Sequence, residues 1–148
     1  MLGVCFRSEH RGWMQEQWSW VFSNFGVTEI WERGAKHEGL RGKDGSIYQT
    51  TLPVESASEL PVERPLIVIA PPDAKYIKGT INLMQFDHPE NPIYLFGGSQ
   101  DVLSDESDMG GRTDYTAVYI PLVKHECYSH SAAYMVLWDR YVKRGDFG

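Results

Sequence analysis

Two adjacent glycines at the end of an apolar run are the residues of this chain best suited to holding a ligand. Ile93–Phe96 is followed by Gly97 and Gly98, and without a β-carbon the backbone there can approach a bound molecule closely. Two other apolar runs end in a similar way. Pro65–Ala70 stops at Pro71, and Ala117–Ile120 stops at Pro121 and Leu122. A Gly-Gly turn alone is usually only a turn; three such ends together make a site. Side chains able to move a proton or bind a metal follow the last of them: His125, Glu126, Cys127, Tyr128 and His130. A second set, Arg7, Glu9 and His10, follows the first apolar run. His125, Cys127 and His130 are zinc-type ligands, but no fourth is evident, and His130 with Ser131 reads better as the cap of a helix. His10 and His88 read as turn residues without chemistry.

The elements that must position these groups alternate. Gly3–Phe6 predicts a strand. Trp13–Phe25 predicts a helix, because Met14, Trp18, Val21, Phe22 and Phe25 recur as one buried stripe, with Gly26 as its stop. Trp13, Gln17 and Trp20 lie on its other face and suggest a second contact: a dimer partner first, RNA bases as the alternative. Glu29–Trp31 predicts a strand, Ser46–Leu52 another, and Val54–Leu60 a short helix behind Pro53. The β-branched run Pro65–Ala70 suits a central parallel strand covered on both faces. Thr80–Phe86 reads as helical, Ile93–Phe96 and Ala117–Ile120 as strands, and Ser104–Thr113 as a polar loop. Ser129–Lys143 is the last helix, apolar nearly all round from Ala132 to Trp138 and so covered on two sides. The pattern predicts one α/β domain over residues 1–148, with a mainly parallel sheet flanked by helices.

Composition narrows the function. The 148 residues are 42% hydrophobic and 13% aromatic, which is globular rather than disordered. No apolar run approaches the roughly 20 residues that span a bilayer, so no membrane is expected. No secretory signal is recognisable. Cys5 and Cys127 read as two buried thiols in a reducing cytoplasm. A net charge of −6 argues mildly against broad contact with phosphates. Arg33, Lys36, His37, Arg41 and Lys43 form a basic stretch, and Asp101, Asp105, Glu106 and Asp108 an acidic one; both read as solvated surface.

Two C-terminal stretches carry a resemblance to a known family. The segment Phe86-Asp87-His88-Pro89 leading into Ile93–Phe96 and Gly97-Gly98-Ser99 is one. Val118-Tyr119-Ile120-Pro121-Leu122 followed by Tyr128–Arg140, with its Trp138-Asp139-Arg140 trio, is the other. They resemble the SpoU-like (SPOUT) knotted RNA 2'-O-ribose methyltransferases. The resemblance implies a C-terminal trefoil knot and S-adenosylmethionine as cofactor, held by Ala70, Pro71, Gly97, Gly98, Ser99, Ile120, Leu122, Cys127 and His130. It also implies a tRNA or rRNA substrate and a homodimer through the first and last helices. Trp20, Ser99 and Tyr128 stand where the family places Arg, Glu and Asn. Catalysis would then fall to other groups, Tyr128, Glu126 and Arg7 first. The alternative is a noncatalytic dimeric descendant that binds S-adenosylmethionine or RNA.

Overall fold

A computed structural model of the chain describes residues 1–9, 12–34, 48–58, 60–74, 77, 79–97, 111–124 and 127–145. Seven strands form one sheet: β1 (Gly3–Arg7), β2 (Glu29–Arg33), β3 (Val54–Ser56), β4 (Leu66–Ile69), β5 (Ile81–Asn82), β6 (Ile93–Phe96) and β7 (Thr116–Tyr119). Helix α1 (Gly12–Asn24) follows β1, and α2 (Ser129–Arg144) follows β7. The strand order is β3-β2-β1-β6-β4-β7-β5, and every pairing is parallel. From β1 the chain moves outward to β2 and β3, whereas β6 leads to β7 on the other side. The direction of winding therefore reverses between β1 and β6, and ligands of open parallel sheets sit beyond the strand ends at such a reversal.

Alternation along the strands sorts side chains onto two buried faces. Leu2, Val4, Phe6, Ile67, Tyr94, Phe96 and Val118 face α1 and α2, meeting Trp18, Val21, Phe22, Ala133, Val136 and Leu137. The stripe predicted for α1 is the one buried there, with Met14 and Phe25 included. Cys5, Trp31, Leu66, Val68, Ile93, Leu95 and Ala117 face the other way. No α-helix among the described residues covers that second face; Ala57, Leu60 and Ile77, from connecting coil, do so. The expected sheet flanked by helices is thus observed, with both described α-helices on one face.

Coil over a sheet leaves backbone carbonyls without a helical partner, and buried arginines supply donors. Arg112 donates to the carbonyls of Pro61 (2.7 Å) and Arg64 (2.9 Å) while its fork grips Asp114. Arg64 donates to the carbonyls of Asn91 (3.2 Å) and Pro92 (3.1 Å), pairs with Glu29, and lies 5.6 Å from the centre of the Trp31 ring.

Three predicted elements are corrected. Val54–Leu60 is not a helix: Val54–Ser56 pairs in parallel with β2 and a turn follows, because the edge ladder supplies bonds that a single turn of helix could not. Thr80–Phe86 is a two-residue strand followed by a 3-10 turn over Leu83–Gln85, in which the Met84 N–H donates to the Asn82 side chain. Of Ser46–Leu52, residues 48–52 are coil: Tyr48 turns its ring into the α1 face, packing edge-on against Phe6, instead of joining a ladder. Residues 46 and 47 lie outside the described residues, as does most of the predicted polar loop Ser104–Thr113.

Gly3 shows how tightly the second face is packed. A β-carbon there would lie 2.7 Å from the Trp31 ring and 3.3 Å from both Arg64 and Ile93. Gly3→Ala should lower unfolding free energy by about 1–3 kcal/mol through overpacking, read by urea denaturation. An unchanged midpoint would show that Trp31 yields freely.

Candidate functional site

Parallel ladders bring three strand ends to one level. Ile69 pairs with Phe96 on one side and with Val118 on the other, so Ala70, Gly97 and Tyr119 are neighbours, and the Ala70 N–H donates to the Val118 carbonyl at 3.1 Å. Ala70 is buried, Pro71 exposed, and Gly97, Ile120 and Leu122 are half-buried. A tight turn around Pro121, with the Leu122 N–H donating to the Ile120 carbonyl at 2.7 Å, folds the chain back over this rim. Small side chains at Ala70 and Gly97 leave backbone approachable, and Ile120 with Leu122 adds apolar contact. Gly98, Ser99 and Glu126 lie outside the described residues.

The reversal point adds a polar wall. Arg7, half-buried, ends β1 in register with Arg33 of β2. Arg33 and Glu32 are buried rather than solvated, and the Arg33 guanidinium donates to the Phe96 carbonyl at 3.4 Å, beside Gly97. Lys36, His37, Arg41, Lys43 and the acidic stretch 101–108 lie outside the described residues. Glu9 is buried and ties three segments together. Its N–H meets the Tyr48 hydroxyl (3.2 Å), its carbonyl accepts from Gln15 of α1 (2.8 Å), and its carboxylate accepts from Ser129 of α2 (3.4 Å).

Helix α2 begins differently from the expectation. Tyr128 is its N-cap residue and makes no side-chain cap bond, so His130 and Ser131 do not cap the helix. His130 is buried, its Nδ1 has no hydrogen-bond partner among the described residues, and burial lowers its pKa, so the ring is neutral near pH 7. Cys127 is exposed, which corrects the expected buried thiol, while Cys5 is buried with its thiol pushed up to about 12. Both cysteines are free. Desolvation raises the Cys127 thiol as well, leaving it a neutral, weakly ligating group. Among the described residues no cluster of three His, Cys, Asp or Glu side chains could hold a metal ion.

His88 was missed, and it is what anchors the far end of α2. Its side chain is fully buried between the Tyr94 hydroxyl (2.6 Å from Nδ1) and the Asp139 carboxylate (2.7 Å from Nε2). A neutral ring protonated on Nε2 satisfies both partners. Lys143 pairs with Asp139 and donates to the carbonyls of Leu83 (2.6 Å) and Phe86 (3.0 Å). Both His88 and Asp139 lie in the stretches that carry the family resemblance, but nothing local in the sequence paired them.

No protein-family model matches the sequence, and no curated protein matches it. Solved structures do match. Against TrmJ from Z. mobilis ZM4 the TM-score is 0.71 at 10% identity, covering 99% of this chain and 71% of that one. Against the A. aeolicus TrmH/SpoU tRNA modifying enzyme it is 0.68 at 14% identity, covering 97% and 75%. The fold is that of the TrmH/SpoU RNA methyltransferases. The resemblance seen in the C-terminal motifs therefore holds at the level of fold. The chain spans 58% of a TrmH-family protein from Porphyromonas gingivalis (TM-score 0.64, 10% identity, 94% of this chain covered). Among the described residues no helix is long and apolar enough to cross a membrane.

Burial lowers the His88 pKa against the opposing pull of Asp139. A depressed folded value means stability is full above the unfolded pKa of about 6.5 and is lost as pH falls through the folded value. His130 shifts in the same direction. Melting temperature should drop on acidification from about pH 7.5 to 5.5, with a shallower slope in His88→Gln. An identical slope in that variant would remove His88 from the account.

Proposed function

We propose that this protein is an S-adenosylmethionine-dependent RNA methyltransferase of the SpoU-like class, acting on tRNA or rRNA with altered catalytic groups. The observation that carries this is the level convergence of the β4, β6 and β7 ends within the TrmH/SpoU fold. Ala70, Pro71, Gly97, Ile120, Leu122, Cys127 and His130, with Gly98 and Ser99, are the residues that would hold the cofactor. In this reading the chain between Gly97 and Tyr128 forms a trefoil knot. When bound, the cofactor supplies a methyl group already activated on a sulfonium.

The chain's own work is then positioning and proton removal. A ribose hydroxyl must meet the methyl carbon in line at about 3 Å and lose its proton as the bond forms. Arg7, at the end of β1, and Tyr128, at the start of α2, stand on the acceptor side, with Glu126 beside Tyr128 in sequence. Arg7 offers charge to the nucleotide, and Tyr128 and Glu126 offer oxygens to the hydroxyl proton. The second reading, a noncatalytic binder, is favoured by one feature: exposed aromatic groups, Trp20 and Tyr128, occupy the positions of the family's Arg and Asn.

Calorimetric titration should give micromolar binding of S-adenosylmethionine and S-adenosylhomocysteine, abolished by Gly97→Val. Methyl incorporation into total RNA should be lost in Tyr128→Phe or Glu126→Gln with cofactor affinity kept. Binding without incorporation in the wild type selects the noncatalytic reading. Absence of binding rejects both.

A second copy of the chain is the proposed partner for the outer faces of the two helices. Trp138 is 57% exposed, Val142 61% and Trp20 45%, large apolar groups that a monomer leaves in water. Size-exclusion chromatography with light scattering should give a dimer mass, moved to that of a monomer by Trp138→Glu.

A further inference from the structure

Trp13, Tyr128 and His130 bring three rings together where the first turns of α1 and α2 meet. Tyr128 and His130 are stacked, with planes 10° apart and centroids at 5.3 Å. Trp13 stands nearly perpendicular to both, 5.2 Å from Tyr128 and 5.7 Å from His130. The arrangement is graded in burial: His130 is 6% exposed, while Tyr128 and Trp13 are each 46% exposed. One face of Tyr128 is therefore occupied by a buried ring that holds it in place. Tyr128 stays half exposed, and Trp13 stands beside the stacked pair. An aromatic ring already fixed in orientation loses little entropy on receiving a flat ligand.

We infer that this corner takes an unpaired nucleobase of the RNA substrate, stacked on Tyr128 as the third ring of the column. The inference rests on the methyltransferase reading and names how the acceptor strand is held. Two observations favour a base over the apolar side chains of a second copy. The column is built of parallel flat rings, which a base continues and an aliphatic side chain does not. Neither helix carries an acidic residue in its first turn, so both positive helix ends remain favourable to a phosphate, while the Glu9 carboxylate is directed inward to Ser129. The corner also lies at the helix starts, one to three turns away from Trp20 and far along α2 from Trp138 and Val142, so a dimer contact on those residues leaves it open.

Stacking on an unpaired base is sensitive to ring and indifferent to hydroxyl, which separates this role of Tyr128 from its proposed chemistry. Fluorescence anisotropy would measure binding of a short labelled oligoribonucleotide, single-stranded and as the duplex of the same sequence. The wild type should prefer the single strand. Tyr128→Leu and Trp13→Ala should each weaken that binding by about five-fold or more. Tyr128→Phe and Trp13→Phe should retain it, even where Tyr128→Phe has lost methyl transfer. S-adenosylmethionine affinity by calorimetry and mass by light scattering should be unchanged in all four, which shows that they fold. If the wild type binds RNA and Tyr128→Leu binds it equally well, the platform is wrong and the methyltransferase reading stands. If Trp13→Ala turns a dimer into a monomer, the corner is an interface between copies and the platform is wrong. If the wild type binds S-adenosylmethionine and neither form of RNA, both the platform and the RNA substrate fall.

Discussion

The bridge from Asp139 through His88 to Tyr94 determines where the last helix lies. Tyr94 belongs to the central strand β6, and Asp139 to the lower half of α2, so the two hydrogen bonds pin the helix to the middle of the sheet. His88 and Tyr94 are removed from bulk water, where a polar contact is strong and an unpaired group is costly, while Asp139 keeps its outer edge in solvent. With its C-terminal half held, and Gly145 closing it in the left-handed conformation, α2 buries Val136 and Ala133 in the core, and Ser129 in its first turn meets the Glu9 carboxylate.

The two faces of the sheet are held by different physics. On one, helices satisfy their own backbone and only apolar side chains need to fit, as Trp18, Phe22 and Phe6 do in a cluster of tilted and edge-on rings. On the other, coil covers the strands, and its carbonyls need donors from elsewhere. Arg64 and Arg112 provide them while remaining paired with Glu29 and Asp114. Removing either guanidinium would take donors from these carbonyls, Pro61 and Arg64 in the case of Arg112 and Asn91 in that of Arg64, which makes these arginines structural despite their charge.

Around the strand ends a division of labour emerges. Small residues and backbone at Ala70 and Gly97 favour a close-fitting ligand on the β4, β6 and β7 side. Toward β1 the surface changes to Arg7, Arg33, Glu9 and the aromatic corner of Trp13 and Tyr128.

The strands, the two long helices and the parallel sheet were legible because they depend on local periodicity: unbroken apolar runs at Leu66–Ile69 and Ile93–Phe96, and the α1 stripe from Met14 to Phe25. The strand-end glycines and prolines were legible for the same reason, since each alters its own backbone. Short elements were not. Val54–Ser56 and Ile81–Asn82 exist only because a neighbouring strand offers a ladder, and three residues carry no periodicity to announce it. Nor were the pairings across the chain. His88 looked like a turn residue until Asp139, 51 positions later, was placed beside it, and Arg33 looked solvated until the end of β6 closed over it. The sequence by itself determined the longer strands, the two helices and the glycines and prolines that end them. Only the tertiary structure decided which charged and aromatic groups meet, because burial and hydrogen bonding depend on neighbours that sequence separation conceals.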